Sequence, residues 1–192
     1  MNKVSRSIME KINNKLPDDV EKFFKSLSKY IEKPLYFYGS VQRSDYFPGS
    51  SDIDVDIFTD NVNSTISKMQ HFLHTPRKNF KKVYWRLTQT GKMVDGYKLG
   101  YENTNLKFSA EFSIYDNKYK EGVLKEHRRK IVLPYYATLI LLIIKFLYYD
   151  LHILPKDTYR YLKNKTMSTG IGLQEDQFFT INEKKINDAK HK

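Results

Sequence analysis

Residues 52–58, Asp-Ile-Asp-Val-Asp-Ile-Phe, alternate acid and apolar side chains without a break. On a β-strand this period sends Asp52, Asp54 and Asp56 to one face and Ile53, Val55 and Ile57 to the other, so the run reads as a strand with a core on its apolar side. Neighbouring carboxylates on the acidic face stand about 6 to 7 Å apart. At an effective dielectric near 20, each such pair repels by roughly 2.5 kcal/mol. A divalent cation offsets that repulsion directly, since Mg²⁺ prefers oxygen ligands and is typically held by one or two carboxylates plus substrate phosphates. The plain alternative is an acidic strand face turned to water.

The chain around this strand is long enough for one well-cored domain, at 192 residues, and too short for two ordinary ones. It has no cysteine, which removes disulfide frameworks and Cys-based zinc sites. Its first residues, MNKVSRSIMEKINNKL, mix charge throughout and lack the apolar core of a signal peptide, so a cytoplasmic, intracellular protein is expected. The longest apolar stretch, residues 131–149, is interrupted by Pro134 and Lys145 and falls short of a membrane span. A buried core helix is the expectation there, and no membrane partner.

Val4, Ile8, Ile12 and Leu16 fall at helical spacing, and Asp18 with Glu21 three residues on signals a second helix carrying Phe23, Phe24, Leu27 and Ile31. PLYFYG (34–39) reads as a short buried strand stopped by glycine. A helix is expected over 61–75, ending before Pro76. KKVYWRLTQ, MVDGYKLGYE and NLKFSAEFSIY read as an antiparallel meander. Beyond Asp116 the pattern turns helical: a polar stretch over 119–130, an apolar helix from Pro134 to about Ile153, and a short helix from about Asp157 to Lys165. The expected class is α+β, a mixed β-sheet flanked by helices, with a catalytic domain over 1–118, a helical part over 119–166 packed on it, and a polar tail over 167–192.

Gly39-Ser40 closes the first strand, with eleven residues between Ser40 and Asp52, where SVQRSDY can open a short helix. Glycine lets the backbone approach a ligand closely, and N–H groups at a helix start beside a serine hydroxyl make an anion site. A phosphate cradle thus stands next to a metal-binding strand in the sequence. This combination, YFYGS followed by SSDIDVDIF, resembles the nucleotidyltransferase superfamily that includes DNA polymerase β, poly(A) polymerases and small bacterial transferases. The resemblance implies a nucleotidyltransferase-like fold, with Gly39 and Ser40 holding the terminal phosphates of a nucleoside triphosphate and Asp52 and Asp54 ligating two Mg²⁺ (or Mn²⁺) ions. Asp54 and Asp56 satisfy the same two-acid pattern, but Ser51-Asp52-Ile53-Asp54 reproduces the usual order, which leaves Asp56 an extra acid.

Active members of that superfamily take a third carboxylate from a later strand, and Glu111 in NLKFSAEFSIYD matches it, with glutamate where aspartate is usual. Asp116, just past that strand, is the competitor. Lys145 stands alone in LILLIIKFLYY, and similar helices in the poly(A) polymerase branch end with a lysine that reaches the triphosphate. Arg43 is a further phosphate candidate, and the alternative for Lys145 is a helix-end cation that snorkels to water.

Residues 78–130 hold thirteen Lys and Arg against six Asp and Glu, whereas residues 1–58 hold nine of each. Such an excess attracts nucleotides and nucleic acid. Tyr84, Trp85 and Arg86 beside Lys78, Lys81 and Lys82 have the makings of a single-strand binding surface, although Trp85 fits a core position better. His71 and His74 read as surface or packing residues. The expected activity is transfer of NMP from a nucleoside triphosphate to a hydroxyl, on a single-stranded polynucleotide 3′ end, or else on a small molecule or protein. A catalytically silent nucleotide- or RNA-binding module is the remaining alternative.

Overall fold

The computed structural model describes residues 12–172 together with the backbone of 179–180. Helix α1 (Asp18–Ile31) turns Val20, Phe24, Leu27 and Ile31 inward. Its first turn starts on the Pro17 carbonyl, which accepts from Glu21 N–H, so Asp18 is the first helical residue rather than a side-chain cap. Asp18, Asp19 and Glu21 serve that end through their charge at the positive pole of the helix. Residues 12–17 are not helical, which corrects the C-terminal half of the expected opening helix; Val4 and Ile8 lie outside the described residues.

The sheet runs in the order β1 (Tyr36–Tyr38), β2 (Ile53–Thr59), β5 (Phe108–Asp116), β4 (Met93–Asn103), β3 (Lys81–Arg86) and β6 (Phe179–Thr180). β2 and β5 pair in parallel and every other neighbouring pair is antiparallel, so β3, β4 and β5 form the expected meander. Helix α2 (Val62–Leu73) follows β2, and Asn61 caps it by accepting from Ser64 N–H. Ile53, Val55 and Ile57 join Phe112 and Ile114 in the main core, which α1 and α2 cover.

The opposite face is divided. Toward the end of β2 it carries a second, smaller core of Phe58, Trp85, Leu87, Val94, Tyr115 and Val123, covered by α3 (Lys120–Arg129). Trp85 is therefore buried. Toward the start of β2 that face lies open, walled by α4 (Tyr135–Tyr149) and α5 (Lys156–Ile171). These two helices cross closely where a Cβ on Gly170 would stand 3.0 Å from Ala137 Cβ, and Tyr148 stacks on Tyr159 at 4.1 Å. Helix α4 ends at Tyr149 rather than near Ile153, and α5 continues past Lys165 to Ile171, capped by the left-handed Gly172. No described helix is long and apolar enough to cross a membrane.

Candidate active site

The acidic face of β2 grades from solvent to core. Asp52 is exposed, Asp54 half-buried and Asp56 fully buried. The gradient follows from what covers the sheet: nothing over the strand's start, α3 over its end. Asp54 lies in register with Tyr38 on β1 and with Glu111 on β5, so the parallel pairing sets two acids side by side. Burial and the Glu111 charge push the Asp54 carboxyl up to about 7. Ser109 donates to Asp52 Oδ1 at 2.6 Å, and Lys98 Nζ donates to Glu111 Oε1 at 2.5 Å. Asp116 stands apart, receiving Lys118 N–H at the turn after β5.

Gly39 begins a single 3₁₀ turn, Gly39–Gln42, directly after β1. Its φ is +71°, and a Cβ there would meet Asp54 Oδ2 at 2.1 Å. Both the conformation and the contact require glycine. Ser40, next to it, opens onto the same cleft.

Arg43 and Lys145 converge on one buried acid, Asp45. Arg43 Nε and Nη2 donate to the two Asp45 carboxylate oxygens at 2.6 and 3.0 Å, and Lys145 Nζ lies 3.0 Å from Oδ2 and 2.7 Å from the Asp45 carbonyl. Burial alone would raise the Asp45 pKa, but the two cations outweigh it and hold the carboxyl below its ordinary value. Burial lowers the Lys145 pKa against the pull of Asp45. Lys145 therefore does not snorkel to water. It ties α4 to the segment between the Gly39 turn and β2, and both cations line the cleft.

That cleft has a volume of about 590 Å³. Gly39, Ser40, Asp52, Asp54 and Glu111 form one side, and α4 and α5 form the other with Tyr148, Tyr149 and Tyr159. Lys156, Arg160 and Lys163 project into it from one face of α5, and Lys98 and Lys130 complete the basic lining. Of these five only Lys130, the last residue of the basic run KEHRRK, stands out in the sequence, although the spacing of 156, 160 and 163 puts three cations on one side of a helix.

Asp56 serves a different purpose. Its Oδ2 meets His127 Nδ1 at 2.5 Å, and the imidazole is stacked between Tyr38, at 3.9 Å, and Trp85, at 5.7 Å. Burial holds the His127 pKa below its ordinary value despite that carboxylate. His127 was hidden in the basic run KEHRRK. His71 and His74 are both exposed.

The family model of the nucleotidyltransferase domain matches residues 18–136, a span that takes in the Gly39 turn, both strands of the acidic pair and α3. The chain belongs to the nucleotidyltransferase family. No curated protein matches it. A nucleotidyltransferase domain takes a nucleoside triphosphate and transfers its NMP group, and the basic cleft beside the Gly39 turn suits a triphosphate by charge and size. The oxygen donors of Asp52, Asp54 and Glu111 are of the kind a hard divalent cation takes. Among the described residues, however, no three acidic or histidine side chains stand grouped to hold an ion; Asp52 is turned to Ser109 and Glu111 to Lys98.

Proposed function

We propose that this nucleotidyltransferase moves NMP to the 3′ hydroxyl of a single-stranded polynucleotide, using two Mg²⁺ or Mn²⁺ ions held by Asp52, Asp54 and Glu111. The observation that carries the reading is Asp54, in register with Glu111 and so close to residue 39 that only glycine fits. A carboxyl raised to about 7 by burial and a neighbouring acid is one that a divalent cation relieves. Such ions, when bound, neutralise triphosphate charge and activate the attacking hydroxyl.

The chain's own groups do the remaining work. Gly39 opens the backbone to the terminal phosphates, Ser40 donates its hydroxyl to them, and Lys156, Arg160 and Lys163 balance their charge from the far wall. Arg43 and Lys145 support the same phosphates from the cleft lining. Glu111 receives the proton of the acceptor hydroxyl, whose oxygen bonds to the α-phosphorus as the bond to the bridging oxygen breaks and pyrophosphate leaves.

Charge favours a polynucleotide acceptor. Seven Lys and Arg line the cleft against three carboxylates, and Asp45 cancels only one more. With the α5 cations, Arg43 and Lys145 facing the triphosphate, Lys98 and Lys130 remain on the cleft lining for a second anion. Tyr148 and Tyr149, both partly exposed, add aromatic surface against which a base can pack. A small hydroxyl acceptor is the second reading, favoured by the way α5 encloses the cleft.

The test incubates the protein with each labelled nucleoside triphosphate, Mg²⁺ or Mn²⁺, and a mixture of RNA and DNA primers, beside Asp52→Ala and Asp54→Ala. Extension by the wild type and not by either variant is the expected result. Metal-dependent triphosphate binding without extension would move the acceptor to a small molecule or protein, and no triphosphate binding would overturn the reading.

A further inference from the structure

Helix α4 has two unlike faces. Ala137, Leu141, Ile144 and Lys145 point inward, and Tyr136, Leu139, Ile140, Ile143 and Phe146 point away from the body of the protein. The outward stripe is not marginal: Ile143 is 51% exposed and Tyr136 52%, and Val132 and Tyr135 extend it to 76% and 85%. Soluble proteins rarely leave a patch of this size uncovered without a use for it.

We propose that this face is the two-fold interface of a homodimer, with α4 packed antiparallel on the α4 of a second copy. Three observations favour a second copy over other occupants. The first is area: the exposed parts of these seven side chains amount to on the order of 800 Å², which matches what each partner of a stable complex loses. The second is charge. In a chain of net charge +11, residues 131–154 carry only the buried Lys145 and Asp150, so the face offers an acidic partner no cations and spares two basic copies most of their repulsion. The third is self-complementarity. A two-fold axis near Ile140 and Ile143 sets Tyr136 of one copy against the partner's Phe146, and the reverse, so the central part of the stripe meets itself. The opposite side of the same helix carries Lys145, Tyr148 and Tyr149 into the cleft, so the dimer braces a cleft wall.

The experiment measures the mass of the full chain by analytical ultracentrifugation at tens of micromolar, with Ile143→Glu and Leu139→Glu alongside. A dimer is expected for the wild type, with dissociation constants raised at least ~10-fold in both variants and helix content unchanged. Because the chain has no cysteine, Ile143→Cys adds a second readout: oxidation should cross-link it, whereas Ser67→Cys, exposed on α2, should stay uncross-linked. A monomeric wild type overturns the proposal, as does a dimer indifferent to both glutamates. A monomer that sediments with anionic vesicles would give the face to lipid, and a monomer in which the thiol of the Ile143→Cys variant resists alkylation would give it to another segment of the chain; either result also overturns the dimer.

Discussion

Gly39 and Asp54 share a space that holds no further atom: a Cβ on residue 39 would overlap Asp54 Oδ2 at 2.1 Å. Gly39→Ala must therefore displace the carboxylate, and it also strains a backbone at φ +71°. The expected outcome is a loss of transfer rate of ~100-fold or more with a stability loss of only about 1 to 2 kcal/mol. Single-turnover kinetics and a urea titration on the same sample check both halves.

Asp45 answers two buried cations. Asp45→Asn leaves Arg43 and Lys145 without their counter-charge, at a cost of about 3 to 5 kcal/mol. The same acid sets a pH dependence. Its folded pKa lies below the ordinary value of 3.8, because the two cations outweigh the effect of burial. As pH falls, the unfolded chain takes up this proton first. The stabilisation is complete above the ordinary aspartate range and disappears as pH falls through the folded value. Wild-type urea midpoints should fall more steeply than those of Asp45→Asn as the solution is acidified below about pH 4.

A divalent cation should stabilise the protein through Asp54. At neutral pH, Mg²⁺ at ~100 times its dissociation constant would add about 2.7 kcal/mol. Differential scanning fluorimetry should show the melting temperature rising with Mg²⁺ or Mn²⁺ in the wild type and staying flat in Asp54→Asn. A rise of equal size in the variant would remove Asp54 from the ligand set.

The α5 cations should act on substrate affinity. Lys163→Ala and Arg160→Ala each remove a charge facing the cleft, and a charge-assisted hydrogen bond to phosphate contributes about 1.5 to 3 kcal/mol. KM for the triphosphate should rise roughly 10-fold or more. Added salt should reproduce part of that rise in the wild type and less of it in the variants.

Much of this site was legible because its signals are local. The alternation of 52–58 fixes which side of β2 is acidic, and the same parity on β5 puts Glu111 on the matching face; the register that joins Asp54 to Glu111 then needs only that the two strands be neighbours. What stayed hidden depends on distant partners. Asp45 reads as one residue of SVQRSDY, a candidate helix start, until Lys145, a hundred positions later, is seen on its carboxylate. His127 looks like one more charge in a basic run, and only the strand 71 residues upstream makes it a buried partner of Asp56. Helix α5 outruns its expected end because Gly170, a poor helix former, is the residue that allows contact with Ala137.

The parallel seam between β2 and β5 has a consequence for how the enzyme comes into being. The two strands are adjacent in the sheet, but α2, β3 and β4 intervene along the chain, so Asp54 meets Glu111 only after that whole excursion has folded back. Contacts this remote in sequence are slow to close. If the proposed site is the catalytic one, a half-folded chain that has the aspartates and the glycine turn but not the acid opposite them should be inert. During renaturation, catalytic competence should return with the final cooperative step, after most of the helical signal has already recovered.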